Sequence, residues 1–124
     1  MVKYAYLVFG GVLGTVARYW LAGLVCQKLG PSFPFGTLIV NVTGCFLVGI
    51  LSTITNERLF LGPESKVLLI AGFCGAYTTF SAYILETSQL MMNGEMLRAF
   101  FNIILSTMLG FVALRLGILL GESI

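Results

Sequence analysis

The sequence predicts an all-α membrane protein of four transmembrane helices, with residues 1–124 forming a single subunit, and three observations predict it. Of the 124 residues 58% are hydrophobic and 10% charged, whereas a soluble domain carries about 25% charged residues, so the chain cannot make a wettable surface. A spanning helix needs roughly 20 mainly apolar residues, and four such runs with short connections use the whole length, leaving no room for a soluble domain. Between the runs fall the residues that end helices: Gly30, Pro31 and Pro34, then Gly62 and Pro63, then Asn93 and Gly94.

The first span is expected over about residues 4–27. Lys3 ahead of an apolar run resembles a signal peptide, but the run continues past Arg18 to Cys26 without a small-x-small cleavage site. Val25 directly before Cys26 argues against lipoprotein processing, so the segment is expected to stay as a helix. The second span covers about 36–55, and a loop with Asn56, Glu57, Arg58, Gly62, Pro63 and Glu64 follows it. The third covers about 66–92 and the fourth about 97–120, joined by the turn Asn93, Gly94, Glu95.

The third span carries Gly72-Phe73-Cys74-Gly75-Ala76-Tyr77-Thr78-Thr79-Phe80-Ser81 at its centre, and glycine, paired threonines and aromatics are poor helix formers. An opened helix would strand backbone N–H and C=O groups in a medium without water, which survives only when buried in protein or facing a polar cavity. A continuous helix whose hydroxyls bond back to the preceding turn fits the residue types equally well. Glycines four apart, Gly10 with Gly14 and Gly117 with Gly121, allow close helix approach. Tight packing between subunits is one reading; glycine's general frequency in membrane helices is the other.

Net charge is +2, and the seven Lys and Arg residues stand singly, which points away from nucleic acid and anionic surfaces. There is no His, hence neither the commonest metal ligand nor the usual proton carrier. Cys26, Cys45 and Cys74 show no ligand spacing and are expected as small membrane-core residues. Four spans place Lys3, Arg58 and Lys66 on one side and Lys28 and Arg98 on the other. With so little bias the positive-inside rule gives no preferred orientation, and an antiparallel two-fold dimer inserted both ways is the inference.

Ionisable groups within spans are functional candidates by default. Arg18 and Glu86 are read either as lining a water-filled entrance or as a structural ion pair, and Arg115 as snorkelling to headgroups. Uncharged donors form two stripes at helical spacing, Thr37 with Asn41 and Asn102 with Ser106. They line a path or tie helices together, and spacing alone does not separate the two.

Three stretches taken together resemble the Fluc/CrcB fluoride channel family. They are Gly10-Gly11-Val12-Leu13-Gly14-Thr15-Val16-Ala17-Arg18-Tyr19-Trp20, then Gly36-Thr37-Leu38-Ile39-Val40-Asn41-Val42-Thr43-Gly44-Cys45-Phe46-Leu47-Val48-Gly49, and finally Gly72-Phe73-Cys74-Gly75-Ala76-Tyr77-Thr78-Thr79-Phe80-Ser81-Ala82-Tyr83 followed by Glu86. The likeness covers nearly the whole chain in order and length. It implies an antiparallel dual-topology homodimer in the cell (plasma or inner) membrane, with two pores, passive fluoride export and a broken third helix. It also implies a structural sodium ion at the dimer interface, held by backbone carbonyls of Gly75 and Thr78 from both subunits.

By the same resemblance Asn41 and Phe80 line the fluoride path, and Arg18 gathers the anion at its mouth. Fluoride is a strongly hydrated acceptor, so a path that strips its water must supply donors. Thr37, Ser81, Asn102 and Ser106 carry such groups, and the positive edge of an aromatic ring can face an anion without a fixed charge. The chain departs from the family pattern at Tyr83, Ala82, Tyr77 and Ala76. In the fourth helix Asn102 stands where a Tyr is common, and Gly110 where a hydroxyl is common. A small multidrug transporter shares the span number and dimerisation, but its cationic substrates need a carboxylate in the first helix, where this chain has Arg18. No nucleophile, base or metal ligands converge on one motif, so no enzyme is read here.

Overall fold

The computed structural model describes residues 1–57 and 62–124, with the side chain of Glu57 outside the description. All regular structure among the described residues is helical, and four helical stretches are long and apolar enough to cross a membrane. Helix α1 (Val2–Leu29) ends where Gly30 takes a positive φ of 80° ahead of Pro31. That left-handed conformation suits only glycine without strain. Helix α2 (Phe35–Glu57) follows.

The third crossing is assembled from pieces. A first turn, α3 (Pro63–Lys66), passes into a π-helical stretch (Val67–Cys74) and then a short α4 (Gly75–Tyr77). Thr78 and Thr79 are extended, with φ, ψ of −83°, 157° and −148°, 112°. Helix α5 (Phe80–Met92) then starts afresh, and after Gly94 at φ 77° helix α6 (Met96–Ser123) completes the chain. Each span runs a few residues beyond the bounds read from sequence, because polar end residues such as Lys28 and Ser123 still close the last helical turn.

Helix α2 packs chiefly on α6, and α1 on the π stretch. Glycine makes both approaches possible: a Cβ on Gly14 would overlap the Phe73 carbonyl oxygen, and one on Gly117 the Phe46 carbonyl oxygen. The four-residue glycine pairs therefore close helices within one subunit. Gly10 and Gly14 face the π stretch, and Gly117 and Gly121 face α2. Spacing revealed the need for close approach, while the partner lay in the same chain.

The ends of the bundle agree with four alternating crossings. Arg98 at the start of α6 donates to the Ser32 carbonyl at 3.1 Å, so the α1–α2 and α5–α6 connections share one side. Lys66 donates to Asn56 Oδ1 at the other. Arg58, counted above for orientation, lies outside the described residues.

Candidate functional site

The interruption in the third crossing is closed by side chains from α2. Asn41 Nδ2 donates to the Thr79 carbonyl at 3.0 Å, and the Thr79 N–H donates to Asn41 Oδ1 at 2.8 Å. A primary amide presents a donor and an acceptor side by side, so it pairs with a peptide as another strand would. In a continuous helix the Thr79 N–H would bond the carbonyl of Gly75, four residues back; here Asn41 takes it. The Ala82 N–H would likewise bond the Thr78 carbonyl, but it donates to Thr79 Oγ1 at 3.3 Å, the N-cap of α5.

Gly75 and Thr78 thus lose their ordinary helical donors, and no backbone N–H outside the helices reaches either carbonyl among the described residues. Neutral carbonyl oxygens are the donor set a hard cation prefers. No cluster of three His, Cys, Asp or Glu occurs among the described residues, so a cation here would depend on these carbonyls. Space agrees, since Gly75 is exposed and an added Cβ would meet only the Ile70 carbonyl oxygen at 3.7 Å.

The break exposes helix ends of opposite sign. The carbonyls at the end of α4 carry partial negative charge, and the first N–H groups of α5, with no helical turn before them, carry partial positive charge. Phe80, the first residue of α5, is 75% exposed, and its ring lies 5.8 Å from that of Tyr83 at 46°. Ser81 beside it is exposed as well. Phe80 and Ser81 stand on the outer face of the single subunit.

Two adjoining cavities together reach the break, at Thr79. An open cleft of about 680 Å³ at the α1–α2 loop end is lined by Thr37, Glu86, Gln89, Asn93 and Arg98. A smaller cavity of about 250 Å³ is lined by Arg18, Thr37 and Thr79. Tyr19, Ala22 and Thr37 line both, making Thr37 the step between them. Thr37 Oγ1 donates to Glu86 Oε1 at 2.8 Å, while Glu86 Oε2 is buried without a partner. No ion pair joins Arg18 to Glu86 among the described residues; the pair present there is Arg98 with Glu95 at 2.9 Å.

The α6 stripe is placed differently. Asn102 is 1% exposed, its Nδ2 donates to Thr87 Oγ1 at 2.8 Å, and Ser106 approaches its Oδ1 at 3.5 Å. Thr87 in turn donates to the Tyr83 carbonyl at 2.7 Å, so the stripe reaches the Phe80–Tyr83 segment through α5. Sequence reasoning named Asn102 and Ser106 and missed Thr87. It also missed Thr43, whose hydroxyl lies 2.7 Å from the Tyr77 hydroxyl. Thr43 is a single threonine in a largely apolar run and Thr87 sits among Glu86, Ser88 and Gln89, so nothing in their spacing marks either one.

A family model described as CrcB-like protein, Camphor Resistance (CrcB), matches residues 5–118. A fluoride-specific ion channel FluC of Desulforapulum autotrophicum is 47% identical over 122 residues, 98% of each chain. A protein of the same description from Solidesulfovibrio magneticus is 43% identical over 98% of each chain. One from Maridesulfovibrio salexigens is 39% identical over 100% of this chain and 98% of its own.

Proposed function

The chain belongs to the CrcB-like family, and from that premise we infer that it passes fluoride through the membrane as an antiparallel, dual-topology homodimer with two pores. Fluoride-channel activity comes with the family, and it is not that of an enzyme. Export is passive and follows the electrochemical gradient across the cell membrane.

The observation that carries the reading is the paired helix ends at Thr78 and Thr79, opened by extended backbone and bracketed by Asn41. Non-helical backbone at membrane depth is tolerated where it faces protein or a polar cavity; Thr79 is paired to Asn41 of α2 and borders the cavity that Arg18 also lines. Arg18 collects fluoride from the cleft, with Glu86 at the same mouth. Thr37 borders the path with its hydroxyl hydrogen on Glu86, and Asn41 then replaces lost water, the second N–H of its amide remaining for the anion. Phe80 and Tyr83 offer ring edges and Ser81 a neutral donor, while Asn102 and Ser106 back that segment through Thr87. A fixed cation in the narrow part would hold fluoride too tightly to release it.

A second copy, laid antiparallel, would cover the exposed Phe80 and Ser81 face and complete each path. The carbonyls of Gly75 and Thr78 from both copies would hold a structural sodium ion at the two-fold axis. Bound there, it would supply fixed positive charge among those carbonyl dipoles.

The test is electrode recording of fluoride release from vesicles containing only this protein, with the membrane potential set by potassium and valinomycin. Release that follows the gradient, and stops when the imposed potential balances it, is expected. Accumulation against the gradient, or release that needs a counter-transported proton, would sink the passive-channel reading.

A further inference from the structure

We propose that Tyr77 is a positioning residue: with Thr43 it forms a splint that holds the Thr78 carbonyl ready for the cation. The proposal rests on the sodium reading above. Tyr77 closes α4 directly before the extended pair and is 5% exposed. Its hydroxyl lies 2.7 Å from Thr43 Oγ1. Thr43 has a single hydroxyl hydrogen, directed at the Ile39 carbonyl at 2.7 Å and the Val40 carbonyl at 3.1 Å. Tyr77 is therefore the donor to Thr43, and a buried phenol in lipid needs such an acceptor. The ring is held flat by Phe73, stacked at 5.6 Å and 10°.

This bond completes a pattern. Thr43 holds Tyr77 on one side of Thr78, and Asn41, two residues earlier on α2, holds Thr79 on the other. The two pairings run antiparallel, as rungs of a ladder would. Between them a Cβ on Gly44 would overlap the Thr78 methyl, and Thr78 Oγ1 donates to the Cys74 carbonyl at 2.9 Å. Every part of Thr78 is thereby tied except its carbonyl oxygen. With Asn41 alone the extended pair would pivot about one point; the Tyr77 rung removes that freedom before any cation arrives. A ligand group ordered in advance loses less entropy on binding and so binds more tightly.

The test is a sodium titration of the thermal midpoint of the purified, detergent-solubilised protein, prepared in N-methylglucamine buffer. Binding to the folded form raises the midpoint according to the ratio of sodium to its dissociation constant. Tyr77→Phe removes one oxygen and keeps the ring. It should need about fivefold more sodium for the same rise, the worth of one ordinary hydrogen bond. Thr43→Val should match it, the double variant should add nothing, and Thr43→Ser, which keeps the hydroxyl, should follow the parent protein. If Tyr77→Phe does not fold, Thr43→Val against Thr43→Ser makes the same comparison. Superimposable titrations of parent and variants would overturn the splint and leave the sodium reading standing. A parent protein that sodium does not stabilise at all would remove both.

Discussion

Asn41 holds Thr79 at both ends of that residue's backbone, donating to its carbonyl at 3.0 Å and accepting from its N–H at 2.8 Å. The side chain of α2 therefore stands in for a missing turn of helix, and at the same time places one remaining amide hydrogen beside the proposed path.

Asn41→Asp tests both roles. The carboxylate keeps the bond from the Thr79 N–H, but it faces the Thr79 carbonyl with an acceptor and sets a negative charge beside a passing anion. Leaving one buried polar group unpaired costs about 1–3 kcal/mol, so fluoride flux should fall by tenfold or more on the order-of-magnitude scale of that penalty. Vesicle flux near that of the parent protein would return Asn41 to packing alone.

Phe80→Ile keeps apolar bulk and removes the ring edge. Aromatic edge interactions are worth about 0.5–1.5 kcal/mol, so turnover should slow by roughly two- to tenfold while size-exclusion chromatography still shows the dimer. Unchanged turnover would leave the ring edge without a part in conduction.

Thr37 supplies the sole hydrogen bond to the Glu86 carboxyl group among the described residues. Thr37→Val should lower thermal stability by about 1–3 kcal/mol, the range for a charged or buried acceptor losing its donor. Thr37→Ser should not. Equal melting of the two variants would show that the Glu86 environment is set by something other than this hydroxyl.

Gly44→Ala places a methyl against the side chain of Thr78, whereas Gly11→Ala meets nothing within 4 Å. Overpacking costs about 1–3 kcal/mol, so the first substitution should lower both stability and fluoride flux. The second should leave both unchanged. Detergent-solubilised melting and vesicle flux for the pair check this, and equal behaviour would contradict the close α2 contact at the break.

The sequence carried the spans and part of the site. Apolar runs of the right length, ended by Pro31, Gly62 and Gly94, located the four crossings because bilayer thickness sets their length. Helical spacing placed Thr37 and Asn41 together, since neighbours four apart share a face. The partner of Asn41 was hidden, because Thr79 is 38 residues away and is engaged through its backbone, which no residue type advertises. Residue types left the third span undecided between a continuous and an opened helix, since the outcome depends on whether another helix can satisfy the freed peptide groups. For Arg18 and Glu86 residue type left a water-filled entrance and an ion pair equally open, and only three-dimensional placement showed Thr37 as the Glu86 partner. The Tyr77 hydroxyl is a similar case: its acceptor, Thr43, sits in an apolar run of α2.

Selectivity decides most directly whether neutral N–H, O–H and ring-edge groups carry the anion. Vesicles containing only this protein, loaded with equal fluoride and chloride, should release fluoride rapidly and keep chloride at the level of protein-free vesicles. Release of the two halides at equal rates would contradict the account, because a water-filled opening, rather than a desolvating path built around Asn41 and Phe80, would then explain the flux.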